Sequence, residues 1–243
     1  MTISCLRPGH SLLIVVSLAV ALALEVRTGI HAQALISLAI WGLLLYLLMQ
    51  VDAVDRRVLL ACLVIATAGE IFLSLVWGLY TYRLHNIPPF VPPGHVLLLM
   101  LGIALAQRIS KRTANAILMG AGLYAMGAAA TGVDTLALPL LAALIAVSLL
   151  MPAHRQLYAS TFMLSLVLEL YGTWLGNWTW AREVPVIALV TTNPPGIASA
   201  FYAVLDALVA LTAVLLARCM KDSASRNAPA DCRVEAVAHG VRD

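Results

Sequence analysis

The sequence predicts an all-α membrane protein with about eight transmembrane helices, arranged as two parallel repeats of four helices. Of its 243 residues, 62% are hydrophobic and only 11% are charged, so the chain has too little polar surface to cover a soluble globule. The mean hydropathy is +0.93. Long apolar runs recur along the chain, and one mixed motif is repeated after about 98 to 102 residues.

Six apolar runs are long enough to cross a hydrocarbon core about 30 Å thick, which takes about 20 helical residues. They are residues 11–30, 33–51, 57–79, 113–131, 157–176 and 196–218, and two shorter runs, 94–107 and 135–151, complete the eight. The sequence has no alternating polar and apolar strands of the membrane-barrel type, so helices are expected to satisfy the backbone in lipid. The predicted halves are residues 1–107 and 108–219, followed by a disordered cytoplasmic tail at 220–243.

The positions of the cations predict the orientation. If the eight predicted helices cross the membrane in turn, twelve of the 15 Lys and Arg residues lie on the same side of the membrane as the N-terminus. Only Arg27, Arg83 and Arg182 lie on the opposite side. Positive loops stay inside, so both termini are expected in the cytoplasm, with the chain in a bacterial inner membrane. Residues 1–23 also suit a cleaved signal peptide, because Ala21-Leu22-Ala23 follows a short apolar core.

The repeated motif covers residues 70–94 and 169–196. Each copy runs from a glutamate to a glycine, an aromatic-Thr-aromatic triplet, an arginine and Pro-Pro-Gly. An even number of helices places both copies on the outer side of the membrane. The proline-rich segments are expected to be irregular loops at the mouth of a site, and Pro-Pro-Gly is expected to open helices 4 and 8.

Glu70 and Glu169 are the candidate catalytic residues. Each lies about 12 to 14 Å below the outer interface, at about 1.5 Å per helical residue. A charged carboxylate there costs at least about 2.5 to 3.5 kcal/mol, so it normally faces a cavity or a partner. The pair would supply a proton donor in the membrane. Alternatively, each glutamate bonds a neighbouring polar side chain and only holds helices together.

The candidate substrate-binding residues belong to the repeated segments and to helix 8. They are Trp77, Tyr80, Tyr82, Arg83, His95, Trp174, Asn177, Trp178, Trp180, Arg182, Asn193, Tyr202 and Asp206. The aromatic residues form either an ordinary interfacial belt or a wall that stabilises a transient cation. The arginines either anchor the interface or pair with a carboxylate or an anionic lipid headgroup.

The sequence predicts neither a metal site nor a cofactor. It has no pair of histidines at i and i+4, no phosphate-binding glycine loop and no cysteine framework. These absences argue against a nucleotide-binding protein and a disulfide scaffold, and nothing indicates a nucleic-acid partner. The expected partners are membrane lipid and a lipid-soluble small molecule, with the oligomeric state open.

The order of these motifs resembles the integral-membrane carotenoid hydratase family and the related small lycopene cyclases. The likeness covers about 60 of the 243 residues. Its matching stretches are Glu70 with Gly78-Leu79-Tyr80-Thr81-Tyr82, Ile87-Pro88, Val91-Pro92, Gly176-Asn177-Trp178-Thr179-Trp180, Val184-Pro185 and Asn193. Pro92-Pro93-Gly94-His95 and the segment 191–196 depart from that pattern.

The resemblance implies acid-catalysed hydration or cyclisation of an isoprenoid double bond. Glu70 and Glu169 would then be the acid and the base, beside cation-stabilising walls formed by Tyr80, Tyr82, Trp178 and Trp180. A proton-coupled transporter or carrier is the main alternative, because parallel repeats and acids at the membrane midplane also occur in transporters. A non-catalytic assembly subunit is the third.

Overall fold

The structure is a computed structural model that describes residues 7–226, with side chains as far as Arg218. Eight α-helices lie in this described part: α1 (Pro8–Glu25), α2 (Ile30–Leu48), α3 (Ala53–Glu70), α4 (Val91–Ala106), α5 (Lys111–Ala130), α6 (Ala137–Leu150), α7 (Arg155–Leu175) and α8 (Ala200–Arg226). A π-helix, Ile71–Val76, continues α3, and two strands, β1 (Tyr80–Tyr82) and β2 (Trp178–Trp180), follow α3 and α7. The chain is therefore mostly helical, as predicted.

Five of the described helices are long and apolar enough to cross a membrane: α1, α2, α3 with its π-helix, α5 and the part of α8 up to Arg218. A sixth span is formed if α6 and α7 count as one, although the chain bends by 106° between them. Helix α4, with 16 residues, is shorter. A helical membrane protein is confirmed at this level, and eight spans remain a prediction.

Local signals explain where several helices begin and end. The Asp52 side chain accepts hydrogen bonds from the backbone N–H groups of Val54 and Asp55, which caps α3. Ser110 caps α5 in the same way through the N–H of Thr113. Helix α8 continues to Arg226, and the rest of the predicted disordered tail lies outside the described residues.

Helix α4 lies at the centre of the bundle, where it packs against α3 and α7 and also contacts α1 and α2. Its buried residues include Leu97, Leu99 and Ile103. Gly102 allows α7 to approach closely, because a Cβ at this position would overlap the side chain of Thr161. The two helices that carry Glu70 and Glu169 therefore both pack against one central helix.

The two strands form a sheet that the sequence did not predict. Strand β1 pairs antiparallel with β2, and Thr81 lies opposite Thr179 at the middle of the register. Side chains alternate along a strand, so the aromatic rings of both strands are buried on one face and the threonines are exposed on the other. The aromatic triplets, expected at helix ends or turns, thus pair with each other instead.

A left-handed glycine precedes each strand. Gly78 has φ of 73° and Gly176 has φ of 85°. Residues with a Cβ rarely adopt this conformation, so the shared glycine is what turns each chain segment from helix to strand. The two Pro-Pro-Gly segments differ: Pro92 and Pro93 lie in the first turn of α4, whereas 194–196 precede α8 by a separate turn. The expectation that Pro-Pro-Gly opens helix 8 was therefore wrong, because this turn lies between the motif and the helix.

Candidate functional site

A cavity with a volume of about 550 Å³ lies beneath the two-stranded sheet. Its walls come from α1, α3 with its π-helix, α4, α7 and α8, and the buried aromatic face of the sheet forms its roof. Nine of the residues predicted from the sequence line it: Glu70, Trp77, Tyr80, Tyr82, His95, Glu169, Trp178, Trp180 and Tyr202. The two copies of the motif thus meet in one cavity.

Glu70 accepts hydrogen bonds from three side chains. Oε2 accepts from the phenol O–H groups of Tyr80 and Tyr82, at 2.8 and 2.7 Å, and Oε1 lies 2.8 Å from Nε2 of His95. Burial, followed by the negative charge of Glu70, raises the pKa of both phenols well above their usual range. Both tyrosines are therefore protonated donors at neutral pH.

Glu169 has a matching set of partners. Oε2 accepts from the indole N–H groups of Trp178 and Trp180, at 2.9 and 3.0 Å, and Oε1 accepts from the phenol of Tyr202 at 3.3 Å. In both copies, one oxygen therefore binds the two aromatic residues of the adjacent strand. The other oxygen binds a residue near the start of the following helix.

The two sets of partners touch each other through their rings. Tyr80 packs on Trp180 with ring centroids 4.8 Å apart, and Tyr82 packs on Trp178 at 6.0 Å. His95 stacks on Tyr202, with centroids 5.0 Å apart and planes 24° apart. The partners of the two glutamates are therefore in direct contact with each other.

The π-helix explains how the two copies reach the same geometry from different spacings. Eight positions separate Glu70 from Gly78, but only seven separate Glu169 from Gly176. A π turn holds one more residue than an α turn, because its hydrogen bond spans five residues instead of four. The N–H of Trp77 accordingly donates to the carbonyl of Phe72. The extra residue is absorbed there, and Glu70 keeps its register with β1.

The cavity reaches the apolar outer surface of the bundle between α3 and α8. Val64, Phe72 and Leu208 line it and are also exposed on the outside. The surface at this point is composed of apolar side chains that suit contact with lipid. The cavity is therefore bordered at this point by side chains that are also exposed on the outside of the bundle.

The charges of the cavity are few and mostly negative. Glu70, Glu169 and His95 are the acidic and basic side chains among its lining residues, and Lys and Arg are absent from that described lining. Most of the remaining wall is apolar, including Phe201, which stacks on Trp180. The described residues contain no group of three or more His, Cys, Asp or Glu placed to hold a metal ion.

Arg83 and Asn177 lie outside the cavity lining and meet at Glu25, a residue that the sequence analysis missed. Glu25 ends α1 and is buried. Its Oε1 lies 3.1 Å from Nη2 of Arg83 and accepts from Gln33, and its Oε2 accepts from Asn177. Arg83 also donates to the backbone oxygen of Thr28. This cluster ties both strands to α1 and α2. Nothing in the position of Glu25, at the end of an apolar run, distinguishes it from an ordinary interfacial residue.

Asp206 also lies outside the cavity lining. Its Oδ2 accepts a hydrogen bond of 2.6 Å from Thr161, and it lies one turn beyond Tyr202 on α8. Tyr202 therefore lines the cavity, whereas Asp206 on the next turn lies in the packed interior. Asp206 binds α8 to α7 at that level.

Three further predicted residues are not brought into the cavity. Trp174 is 78% exposed and stacks on Tyr171 on the outside of α7. Arg182 is exposed beyond β2. Asn193 supports the roof from above, because its Oδ1 accepts from the backbone N–H of Trp180 at 3.0 Å.

No protein-family model matches the chain, and neither a curated protein nor a solved structure matches it.

Proposed function

We propose that the protein is a cofactor-free integral-membrane enzyme that performs acid-catalysed hydration or cyclisation on an isoprenoid or carotenoid-like lipid. One observation carries the proposal: two buried carboxylates face a single apolar cavity, between the rings of Tyr80, Tyr82, Trp178 and Trp180. An apolar substrate enters such a cavity readily, and general acid catalysis contributes about 10² to 10⁴ in rate.

The Glu70–His95 pair supports proton transfer in this cavity. His95 Nε2 is bonded to Glu70, while its Nδ1 is buried and finds no partner among the described residues. An imidazole held at one nitrogen by a carboxylate is oriented to exchange a proton at the other. Glu70 is then the positioning group, and His95 or Glu70 itself is the acid.

The proposed reaction begins with protonation of a trisubstituted double bond. The proton binds the less substituted carbon, the π bond breaks, and a tertiary carbocation forms. In hydration, water forms a C–O bond to this centre and gives its surplus proton back to the deprotonated acid. In cyclisation, a neighbouring alkene forms a C–C bond to it, and a proton is then lost to the same base. Electron-rich ring faces stabilise the cation in either case.

The same proposal includes two parallel four-helix repeats that span the membrane eight times. Its support is the element order, since a strand stands between the third and fourth helix of each half, and the register of the sheet, which is symmetric about Thr81 and Thr179. An axis along the membrane normal through this pair would exchange the halves. The positive-inside distribution then places the sheet outside and both termini in the cytoplasm of a bacterial inner membrane.

The test is expression in a host that makes acyclic carotenoids or other polyprenes, followed by mass spectrometry of the extracted lipids. The wild-type chain is expected to give a product heavier by one water or an isomeric cyclised product. Glu70→Gln and Glu169→Gln are expected to abolish it, while Glu183→Gln, an exposed carboxylate outside the cavity, is the matched control. In D₂O the product should carry deuterium at the protonated carbon. Unchanged lipids in every host tried would sink the proposal.

A second cavity favours transport as the other candidate function. It has a volume of about 270 Å³ and lies at the opposite ends of α3 and α8, beside Asp55, Arg57 and His154. On α3, a buried layer that includes Cys62 lies between the residues that line the two cavities. A transporter would open this layer to connect the two cavities. Vesicles containing the protein would then couple solute uptake to a pH gradient, which the enzyme would not do.

A further inference from the structure

The main cavity has an excess of acidic groups over basic ones. Glu70 and Glu169 face it together, and His95 is the basic side chain in its described lining. Charged carboxylates in a membrane interior are normally paired with a group of opposite charge. The protein supplies such a group to Glu70 when His95 is protonated.

Among the described residues, Glu169 has no comparable partner. Its three bonds come from two indoles and one phenol, and these donors are neutral. Neutral donors stabilise a carboxylate by hydrogen bonding but do not cancel its charge. Oε1, which accepts only from Tyr202 among the described residues, also retains a free acceptor site.

The aromatic roof is a second feature of the cavity that attracts cations. Tyr80 and Trp180 donate to the carboxylates through their polar edges, and both residues also line the cavity. Phe201 extends this surface, with its ring stacked on Trp180 at 6.4 Å. Electron-rich ring faces attract cations by about 0.5 to 2 kcal/mol, and more strongly where water is excluded.

From this geometry we infer that the cavity binds a lipophilic cation, with the positive centre between Glu169 and the aromatic roof. The apolar chain of the ligand leaves through the opening between α3 and α8, beside Phe72 and Leu208. A quaternary ammonium with a long alkyl chain has this chemistry. The inference rests on the cavity of the proposed function and deepens it, because a bound ammonium resembles the carbocation in charge, yet its binding requires no catalysis.

The experiment is equilibrium binding of labelled dodecyltrimethylammonium to the full chain in nanodiscs of zwitterionic lipid, with empty nanodiscs as the blank. One saturable site per chain is expected. The uncharged carbon isostere 2,2-dimethyltetradecane should compete at least about tenfold more weakly, because the attraction depends on charge. This comparison uses only the wild-type protein, so it does not depend on how any variant folds.

Variants then locate the site. Glu169→Gln is expected to weaken binding about tenfold or more, and Trp180→Leu about two- to thirtyfold. Glu183→Gln should bind within about twofold of the wild type, since an exposed charge contributes little. Circular dichroism and size-exclusion profiles check that each variant is folded.

Three results would overturn the inference: no saturable binding, equal competition by the uncharged isostere, or wild-type affinity in folded Glu169→Gln. The outcome is separate from that of the lipid-conversion test. A chain that binds the ammonium but converts no polyprene keeps this inference and loses the proposed reaction. A chain that converts a polyprene but binds no ammonium keeps the proposed reaction and loses this inference.

Discussion

The two copies of the motif hold their glutamates in the same geometry but with different chemistry. Glu70 is bonded to two phenols and an imidazole, and Glu169 to two indoles and a phenol. An indole N–H can only donate, whereas an imidazole nitrogen can donate or accept a hydrogen bond depending on its tautomer. The first copy is therefore suited to proton transfer, and the second to holding a carboxyl group among donors that cannot take up a proton.

The copies also differ in how they make room for their aromatic residues. In the second copy the larger Trp178 fits against Gly172, where a Cβ would overlap the indole ring. The position three residues after the glutamate in the first copy is Leu73 instead. The second copy thus combines a bulkier donor with a smaller helix residue, and the first combines a smaller donor with an extra helix residue in the π turn.

The largest expected effect on stability comes from single-residue deletions, which test whether the first copy holds an extra helix residue that the second copy lacks. Removing Trp174 from α7 rotates everything beyond it by about 100° relative to Glu169. Both indole bonds should be lost, at about 1 to 3 kcal/mol for each unsatisfied contact. Removing Val76 from the π-helix should instead convert it to an α-helix and leave β1 in register. Both deleted side chains are exposed, so lost burial affects neither strongly.

The measurement is thermal unfolding of the two deletion variants in the same detergent. Deletion of Trp174 should lower the free energy of unfolding by several kcal/mol or prevent folding, while deletion of Val76 should be well tolerated. If the two deletions are equally harmful, the π-helix does not absorb an extra residue, and the comparison between the copies fails.

His95 and Tyr202 each bind Oε1 of the glutamate in their own copy, and their replacement tests the division of roles. His95→Gln retains a donor to Glu70 but cannot exchange a proton at a ring nitrogen, so deuterium transfer from D₂O to a converted polyprene should fall about 10²- to 10⁴-fold. Tyr202→Phe should reduce it less than about tenfold, because Glu169 keeps both indole bonds. Equal losses in the two variants would assign the copies the same role.

The sequence was sufficient to find the Glu, His, Tyr and Trp residues that line the cavity, because most of them belong to the repeat. Glu70, Glu169 and both aromatic triplets were predicted from spacing alone, as was the helical membrane fold at its coarser level. The sheet was not predicted, since strands of three residues are too short to show a period of two. Long-range pairing between residues about 98 apart also leaves no local signal.

Trp174 and Glu25 show two further limits. Trp174 lies five residues after Glu169, a rotation of about 140° on an ideal helix, so its exposure follows from helical geometry once α7 is known to be regular. Trp174 was predicted to bind substrate because it belongs to the repeated segment, although this rotation points it away from Glu169. The partners of Glu25, in contrast, come from three separate segments, and only the folded chain brings them together.

The arginines that follow the two triplets provide the test with the smallest expected effect. Arg83 is the cationic partner of buried Glu25, whereas the exposed side chain of Arg182 makes no hydrogen bond or ion pair with the described residues. Arg83→Gln should lower the free energy of unfolding by about 1 to 3 kcal/mol, because it leaves a buried carboxylate without its cation. Arg182→Gln should change it by less than about 0.5 kcal/mol. Denaturation of both variants in one detergent measures the difference in their free energies of unfolding. A larger loss of stability in Arg182→Gln would show that the second arginine, not the first, stabilises the contact of its copy with the helices.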